Sequence, residues 1–181
     1  MQKIFKILLI FFSLQTFVFA EQNNLDKLFK DLKKANDQKI AYTIEGQIWK
    51  IWTTHKSDSN LTQLMSYGTV LMNNKSLDEA NKIFTKIINA DPKWAEAWNK
   101  RATVYYLQKQ YELSQADINK VIELENRHFG ALSGQGMVQI KLDNLEKALE
   151  SYKKVLEIYP TNQSAQTLVD EIEKTIKEET I

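Results

Sequence analysis

Residues 95–128 read AEAWNKRATVYYLQKQYELSQADINKVIELENRH, and this stretch decides the fold because its pattern returns 34 residues earlier and 34 residues later. Large residues fall on large ones and small on small at six positions: Trp98, Ala102, Tyr105, Ser114, Ile118 and Val121 match Leu64, Gly68, Leu71, Ala80, Phe84 and Ile87 on one side, and Leu132, Gly136, Gln139, Ala148, Tyr152 and Val155 on the other. Such a repeat predicts a stack of helix-turn-helix units, each burying its apolar face against its neighbour.

The repeat also has a recognisable set of residues. The first unit, 61–94, has Gly68, Ala80, Phe84 and Pro92; the second, 95–128, has Trp98 and Tyr105; the third, 129–162, has Gly136, Ala148, Tyr152 and Pro160. In period and in these residues the chain resembles the tetratricopeptide repeat (TPR) family. The resemblance implies an all-α fold, a right-handed α–α superhelix of three TPR units. The junction Arg127 to Leu132 also resembles small exported bacterial TPR proteins.

Turn residues set the expected limits of the repeat helices. Asp91-Pro92 and Tyr159-Pro160 end helices, because the residue before proline is pushed out of the α region. Ser76 and Glu79 have the spacing of a capping box. We expect helices near 61–74, 77–90, 95–108, 111–124, 129–142 and 144–158.

Two segments flank the repeats. Residues 21–60 lie outside the repeat register, and their apolar spacing predicts a pair of helices that forms an N-terminal helical cap over the first unit. An alternative makes Trp49 and Trp52 a docking surface, with one of the two facing outward. Residues 163–181 predict a C-terminal capping helix, apolar on one side and charged on the other.

Residues 1–20 have the features of a signal peptide: Lys3 and Lys6, then the apolar run Ile7 to Phe12, then Val18-Phe19-Ala20 before Glu21. Cleavage there predicts a periplasmic or secreted protein. The alternative is an inner-membrane anchor formed by residues 4–20, which would be the only membrane contact. Removing the segment takes away two lysines and no acid, so 22 basic and 23 acidic residues remain and the net charge is −1. A charge so near zero argues against nucleic acid as a partner.

The sequence contains few residues that could form a catalytic or metal-binding site. Cysteine is absent, and the only histidines, His55 and His128, are 73 residues apart, which predicts that they are also far apart in a repeat array. No catalytic motif, phosphate loop or metal-ligand spacing is present. We therefore expect no enzymatic activity, no catalytic residues, no metal site and no cofactor.

A binding groove is the better prediction. The residues one step beyond the core face of each first helix, rotated by about 100°, should line the concave surface: Met65, Thr69 and Met72; Asn99, Thr103 and Tyr106; Ser133, Met137 and Ile140, with Lys100 and Lys141 nearby. We call these residues the predicted stripe. Methionine suits surfaces that accept varied partners. The same side chains could instead pack between units. Gly134 indicates either a second tight helix contact or, together with Gly130, open space on this surface for a ligand backbone.

One well-defined ligand of the family does not fit. Chaperone-binding TPR domains grip a peptide's terminal carboxylates with Lys, Asn and Arg, and the matching positions hold Met65, Thr69, Lys100, Gly130 and Gly134. Two functions stay open. One is an interaction module of the bacterial cell envelope that binds a peptide segment of another protein in the groove. The other is a structural adaptor that assembles through its outer face or N-terminal helices, possibly as a homo-oligomer.

Overall fold

A computed structural model describes residues 23–179. These residues form nine α-helices: α1 (23–34), α2 (Gln38–Thr53), α3 (Ser59–Asn73), α4 (Leu77–Ala90), α5 (Ala95–Leu107), α6 (Tyr111–Leu124), α7 (Phe129–Lys141), α8 (Leu145–Ile158) and α9 (Gln163–Glu179). The prediction of an all-α superhelix is confirmed, and the repeat helices begin and end within two residues of the expected positions. The predicted signal peptide, residues 1–20, lies outside the described residues.

Each unit is a pair of antiparallel helices in close contact at the small position of the repeat. A Cβ on Gly68 would lie 2.7 Å from the ring of Phe84, and one on Gly136 would lie 2.5 Å from the ring of Tyr152. In the second unit, Ala102 occupies this position and its carbonyl accepts a hydrogen bond from Ser114 Oγ. The small residues are therefore needed for helix packing, as the repeat pattern predicts.

The turn inside each unit uses one repeat position in the left-handed region. Lys75, Lys109 and Asp143 have φ near 60°, and the next residue donates its N–H to a carbonyl five residues back, as in Ser76 to Leu71. This is a Schellman ending without glycine. The predicted capping box was wrong, because the Ser76 side chain makes no capping hydrogen bond.

The N-terminal helix pair packs elsewhere than predicted. Leu28, Leu32 and Ile48 share one apolar cluster with Phe129 of α7 and Tyr159 beyond α8. Along α2, Gln38 bonds Gln163 at the start of α9, and the Trp52 carbonyl accepts from Trp94 Nε1 just before α5. The pair therefore packs mainly on units two and three, contacts unit one at its last residue, Trp94, and connects α5, α7 and α9.

At the C-terminal end of the stack, α9 packs against α8 and buries Ala165, Val169 and Ile172. Its remaining faces carry polar and charged residues. The C-terminal end of the stack is therefore covered by a helix with a polar back.

Candidate functional site

The predicted stripe forms three rows, because each unit supplies one residue to each row. The first row, Met65, Asn99 and Ser133, faces neighbouring helices. Met65 is only 2% exposed and packs in a cluster with Ala97 and Val104 of α5. The assignment of Met65 to the groove was wrong, since the rotation past the core face brings it to the contact between α3 and α5. Asn99 is also buried, and Ser133 is half-buried.

The second row, Thr69, Thr103 and Met137, is the most open. Met137 is 43% exposed and Thr103 is exposed, while Thr69 is half-buried. Beside Met137 lies a cavity of about 70 Å³, lined by Asn99, Ala102, Thr103, Tyr106, Ser114, Ile118, Gly130, Gly134 and Met137. The cavity exists because Gly134 has no side chain: its Cβ would meet only Ile118 Cδ1, at 3.6 Å. We call Thr103, Tyr106, Gly134 and Met137 the open wall.

The other predicted residues are less accessible. Met72 and Ile140 of the third row are half-buried and pack against apolar clusters. Lys100 Nζ lies 3.2 Å from Glu96 Oε1, and Lys141 is exposed at the end of α7. The structure thus brings Asn99, Thr103, Tyr106 and Met137 together around one cavity.

A buried carboxylate lies at the start of α5. Glu96 is fully buried, and its Oε2 accepts hydrogen bonds from Asn99 Nδ2 at 2.9 Å and from His128 Nε2 at 3.0 Å. Burial by itself raises the pKa of Glu96. The hydrogen bond from His128, the charge of Lys100 and the hydrogen bond from Asn99 outweigh burial and hold the pKa below its ordinary value of 4.5.

His128 links this carboxylate to the next unit. Its Nδ1 accepts the Ala131 N–H at 3.1 Å and so caps the N-terminus of α7. Because Nδ1 is an acceptor, the proton of the neutral ring is on Nε2, which donates to Glu96. Both hydrogen bonds are internal, and the ring is fully buried. The pair therefore joins α5 to α7 and is closed to a ligand.

Two indoles of helix α2 cover the surface around Glu96 and His128. The Trp52 ring stacks on His128 with centroids 3.9 Å apart, and the Trp49 ring meets Phe129 edge-on at 5.5 Å. Trp49 also occupies the space above Gly130, where a Cβ would lie 2.6 Å from its Cη2 atom. We call Glu96, Lys100, His128, Phe129 and Gly130 the covered wall.

Sequence reasoning missed the covered wall, although one signal for it was present. Gly130 lies outside the small position of the repeat, and we interpreted it as room for a ligand backbone. There is space next to Gly130, but the indole of Trp49 fills it. The expectation that one of the two indoles faces outward was wrong, because Trp52 is buried and Trp49 is half-buried.

The two histidines have similar surroundings. His55 Nδ1 accepts the Asp58 N–H, and its Nε2 lies 3.0 Å from Asp91 Oδ2. Its ring contacts Trp94, which bonds the backbone of Trp52, the residue stacked on His128. The two rings are therefore connected through neighbouring indoles, contrary to the separation we expected. Within residues 23–179, no three His, Asp or Glu side chains are grouped so that they could hold a metal ion.

Comparison with known proteins agrees with the repeat. Tetratricopeptide repeat family models match residues 95–128 and 130–162. A TPR repeat-containing protein of Rhizobium etli is 32% identical over 151 residues, which are 83% of this chain and 74% of that protein. RNA polymerase II-associated protein 3 of Xenopus tropicalis is 31% identical over 103 residues, but these are 57% of this chain and only 16% of that protein.

Solved structures show the same fold. The first TPR of Spaghetti (RPAP3), bound to the HSP90 peptide SRMEEVD, has a TM-score of 0.63 at 28% identity and covers 66% of this chain and 96% of that one. The Yersinia enterocolitica chaperone SycD, with a peptide of the translocator YopD, has a TM-score of 0.62 at 13% identity over 66% of this chain and 96% of that one. Repeat pattern, helix packing and relatives agree, and the chain belongs to the tetratricopeptide repeat family.

Proposed function

We propose that this protein is a non-enzymatic interaction module of the bacterial cell envelope, which binds a peptide segment of a partner protein at the open wall. The observation that carries the proposal is Met137. It is 43% exposed beside a cavity that the adjacent Gly134 leaves unfilled. A large apolar side chain at the mouth of such a cavity suits an apolar ligand group.

The size and lining of the cavity indicate the ligand. The cavity is small, about 70 Å³, so we expect it to accept one small apolar side chain. Lys100 is paired with Glu96, so it is not a free charge for an acidic ligand, and exposed Lys141 remains. We therefore expect a mainly apolar peptide with a small anchoring residue and a modest preference for acidity.

The ligand should differ from that of the Spaghetti domain, which is seen with the HSP90 peptide SRMEEVD. The positions that would hold terminal carboxylates include Met65, which is buried, and Gly130, which lies under Trp49. Titration with SRMEEVD should give no saturable binding at concentrations up to about 1 mM, equivalent to an affinity weaker than about −4 kcal/mol. Micromolar binding would contradict this expectation.

Site-specific crosslinking tests the open wall directly. A photo-crosslinking amino acid at position 137, introduced in the protein's own host, should give a defined adduct with one partner. Position 113 is the matched control, because Leu113 is a similarly exposed apolar residue away from the cavity. Equal adducts at both positions, or adducts at position 113 alone, would show that the open wall is not the binding surface for the partner.

The envelope location is a further part of the proposal. It is supported by the basic start and apolar run of residues 1–20, which precede the described helices. Among residues 23–179, no helix is long and apolar enough to cross a bilayer. The intact mass of the protein recovered from its host should correspond to a chain that begins at Glu21. A mass that includes Met1 would favour the anchor formed by residues 4–20.

The structural adaptor remains a second candidate function, but the structure favours a different assembly surface. Leu32, Ile48 and Trp52 of the N-terminal helices are buried inside the same molecule and are not available to a partner, whereas Ile40 and Tyr42 of α2 are exposed. Self-association is favoured by a different surface, on α3.

A further inference from the structure

We propose that the free face of α3 binds the same face of a second copy of this chain, forming a symmetric dimer. This surface consists of Gln63, Tyr67 and Val70, and it is separate from both walls. The proposal does not depend on peptide binding at the open wall.

The repeat itself shows what this face is built to contact. Val70, Val104 and Val138 occupy the same position in the three units. Val104 and Val138 are 0% exposed, whereas Val70 is 53% exposed. Val104 packs in the apolar cluster of unit one, and Val138 packs with Ala102 and Ile118 of unit two. In this position valine packs against the preceding unit, and α3 has no preceding unit.

A second position supports the same conclusion. Tyr67 corresponds to Arg101 in unit two, and Arg101 Nη1 reaches back to Thr85 Oγ1 of unit one at 3.1 Å. Tyr67 is 54% exposed. The N-terminal pair does not cover this face, since its apolar residues pack with units two and three. Tyr67 and Val70 are thus partner-facing residues left open to solvent.

The absence of charge on α3 allows two copies of the chain to pair through the same face. Helix α3, SNLTQLMSYGTVLMN, contains no charged residue, so two copies can meet without like charges facing one another. Interface cores are depleted in charge and enriched in tyrosine. The opposite end of the stack is covered by α9 with its polar back, which disfavours head-to-tail stacking into filaments. With head-to-tail stacking disfavoured, the expected arrangement is a symmetric dimer in which α3 of one copy packs against α3 of the other.

The size of the face sets the expected strength. A helix of 15 residues is about 22 Å long, and a single helix face presents less than the roughly 800 Å² per partner of a standard interface. We therefore expect a reversible dimer with a dissociation constant in the range of about 1–100 μM.

Sedimentation velocity on the full chain, expressed with residues 1–20 so that any processing takes place, tests the proposal. From about 1 to about 200 μM, the wild type should shift from monomer to dimer. Tyr67→Glu with Val70→Glu should weaken association at least about tenfold, because four carboxylates would meet in the interface. Ile40→Glu with Tyr42→Glu is the matched control, because both residues are exposed on α2, and it should leave association unchanged.

Mixing oppositely charged variants tests the symmetry. Val70→Glu and Val70→Lys should each associate more weakly than the wild type alone and should recover association when combined, because α3 of one copy faces α3 of the other. The proposal is overturned if the wild type stays monomeric at about 200 μM, if the α3 double variant dimerises as the wild type does, or if the mixture shows no recovery. Far-UV circular dichroism must show native helix content in every variant, which is expected because the changed side chains are exposed.

Discussion

The covered wall and the open wall are neighbouring parts of the same helices, but α2 covers the first and leaves the second accessible. Gly130 and Gly134 are one turn apart on α7, and both looked like room for a ligand. Trp49 fills the space at Gly130, whereas no side chain of the protein fills the cavity at Gly134. The difference teaches that a TPR surface cannot be treated as uniform: here the chain's own helix occupies one part and leaves the next for a partner.

Removing the indole that covers His128 should have the largest effect. Trp52→Ala deletes a buried ring that stacks on His128 at 3.9 Å and contacts Phe29 and Phe129. We expect the free energy of unfolding to fall by about 3–5 kcal/mol, measured by urea denaturation. Tyr42→Ala on the exposed side of α2 is the control and should change it by less than about 0.5 kcal/mol. Equal effects would mean that α2 is not part of the core.

Glu96→Gln should remove a pH-dependent part of the stability. The pKa of Glu96 is lower in the folded protein than its ordinary value of 4.5. The carboxylate therefore stabilises the fold above about pH 4.5, and this contribution disappears as pH falls through the lowered pKa. We expect a loss of about 2–3 kcal/mol at pH 7.

The difference in unfolding free energy between wild type and Glu96→Gln should shrink below pH 4.5. Denaturation curves at pH 7, 5, 4 and 3 will show this. A difference that stays constant with pH would mean that the charge of Glu96 does not contribute to folding.

The repeat part of the fold was predictable, and the placement of α1 and α2 was not. A 34-residue period fixes six helices because each unit packs against the next in sequence. The N-terminal pair lies outside this register, and its partners are distant in sequence: Arg127 Nη1 bonds Asp26, and Tyr159 Oη bonds Glu45. Such contacts leave no periodic signal in a single sequence.

The candidate site was predictable only in part, for a related reason. The stripe assumes that one rotation from the core face points every residue to solvent. It does so for Met137 but not for Met65, which meets α5. Which rows are open depends on how closely successive first helices approach one another, and the sequence period alone does not give that distance.

Gly130→Ala tests how tightly Trp49 is held. The new Cβ would lie 2.6 Å from the indole, which is itself packed against Trp52 and Phe129. We expect destabilisation of about 1–2 kcal/mol by thermal or urea denaturation, since overpacking outweighs the better helix propensity of alanine. In a Trp49→Ala background the same change should become neutral or stabilising. A cost that persists there would place the strain elsewhere.

Gly134→Ala should have the smallest effect on folding and the opposite sign. Its Cβ would lie 3.6 Å from Ile118, an ordinary contact, so alanine should stabilise α7 by about 0.5–1 kcal/mol. The methyl group also takes up part of the cavity. Crosslinking from position 137 should therefore weaken while the melting temperature rises. A lower melting temperature would mean that Gly134 is needed for packing, and unchanged crosslinking would mean that the cavity is not a binding site.

Native-state hydrogen exchange of α2 tests most directly whether the covered wall is a permanent part of the core. The amides of Ile48 to Trp52 should exchange with the same opening free energy as those of α7 around Leu132, because one cluster of side chains joins α2 to α7. Exchange of α2 at a free energy lower by several kcal/mol, with α7 still protected, would contradict the account. It would show that α2 detaches from a folded repeat stack and that a partner can displace it.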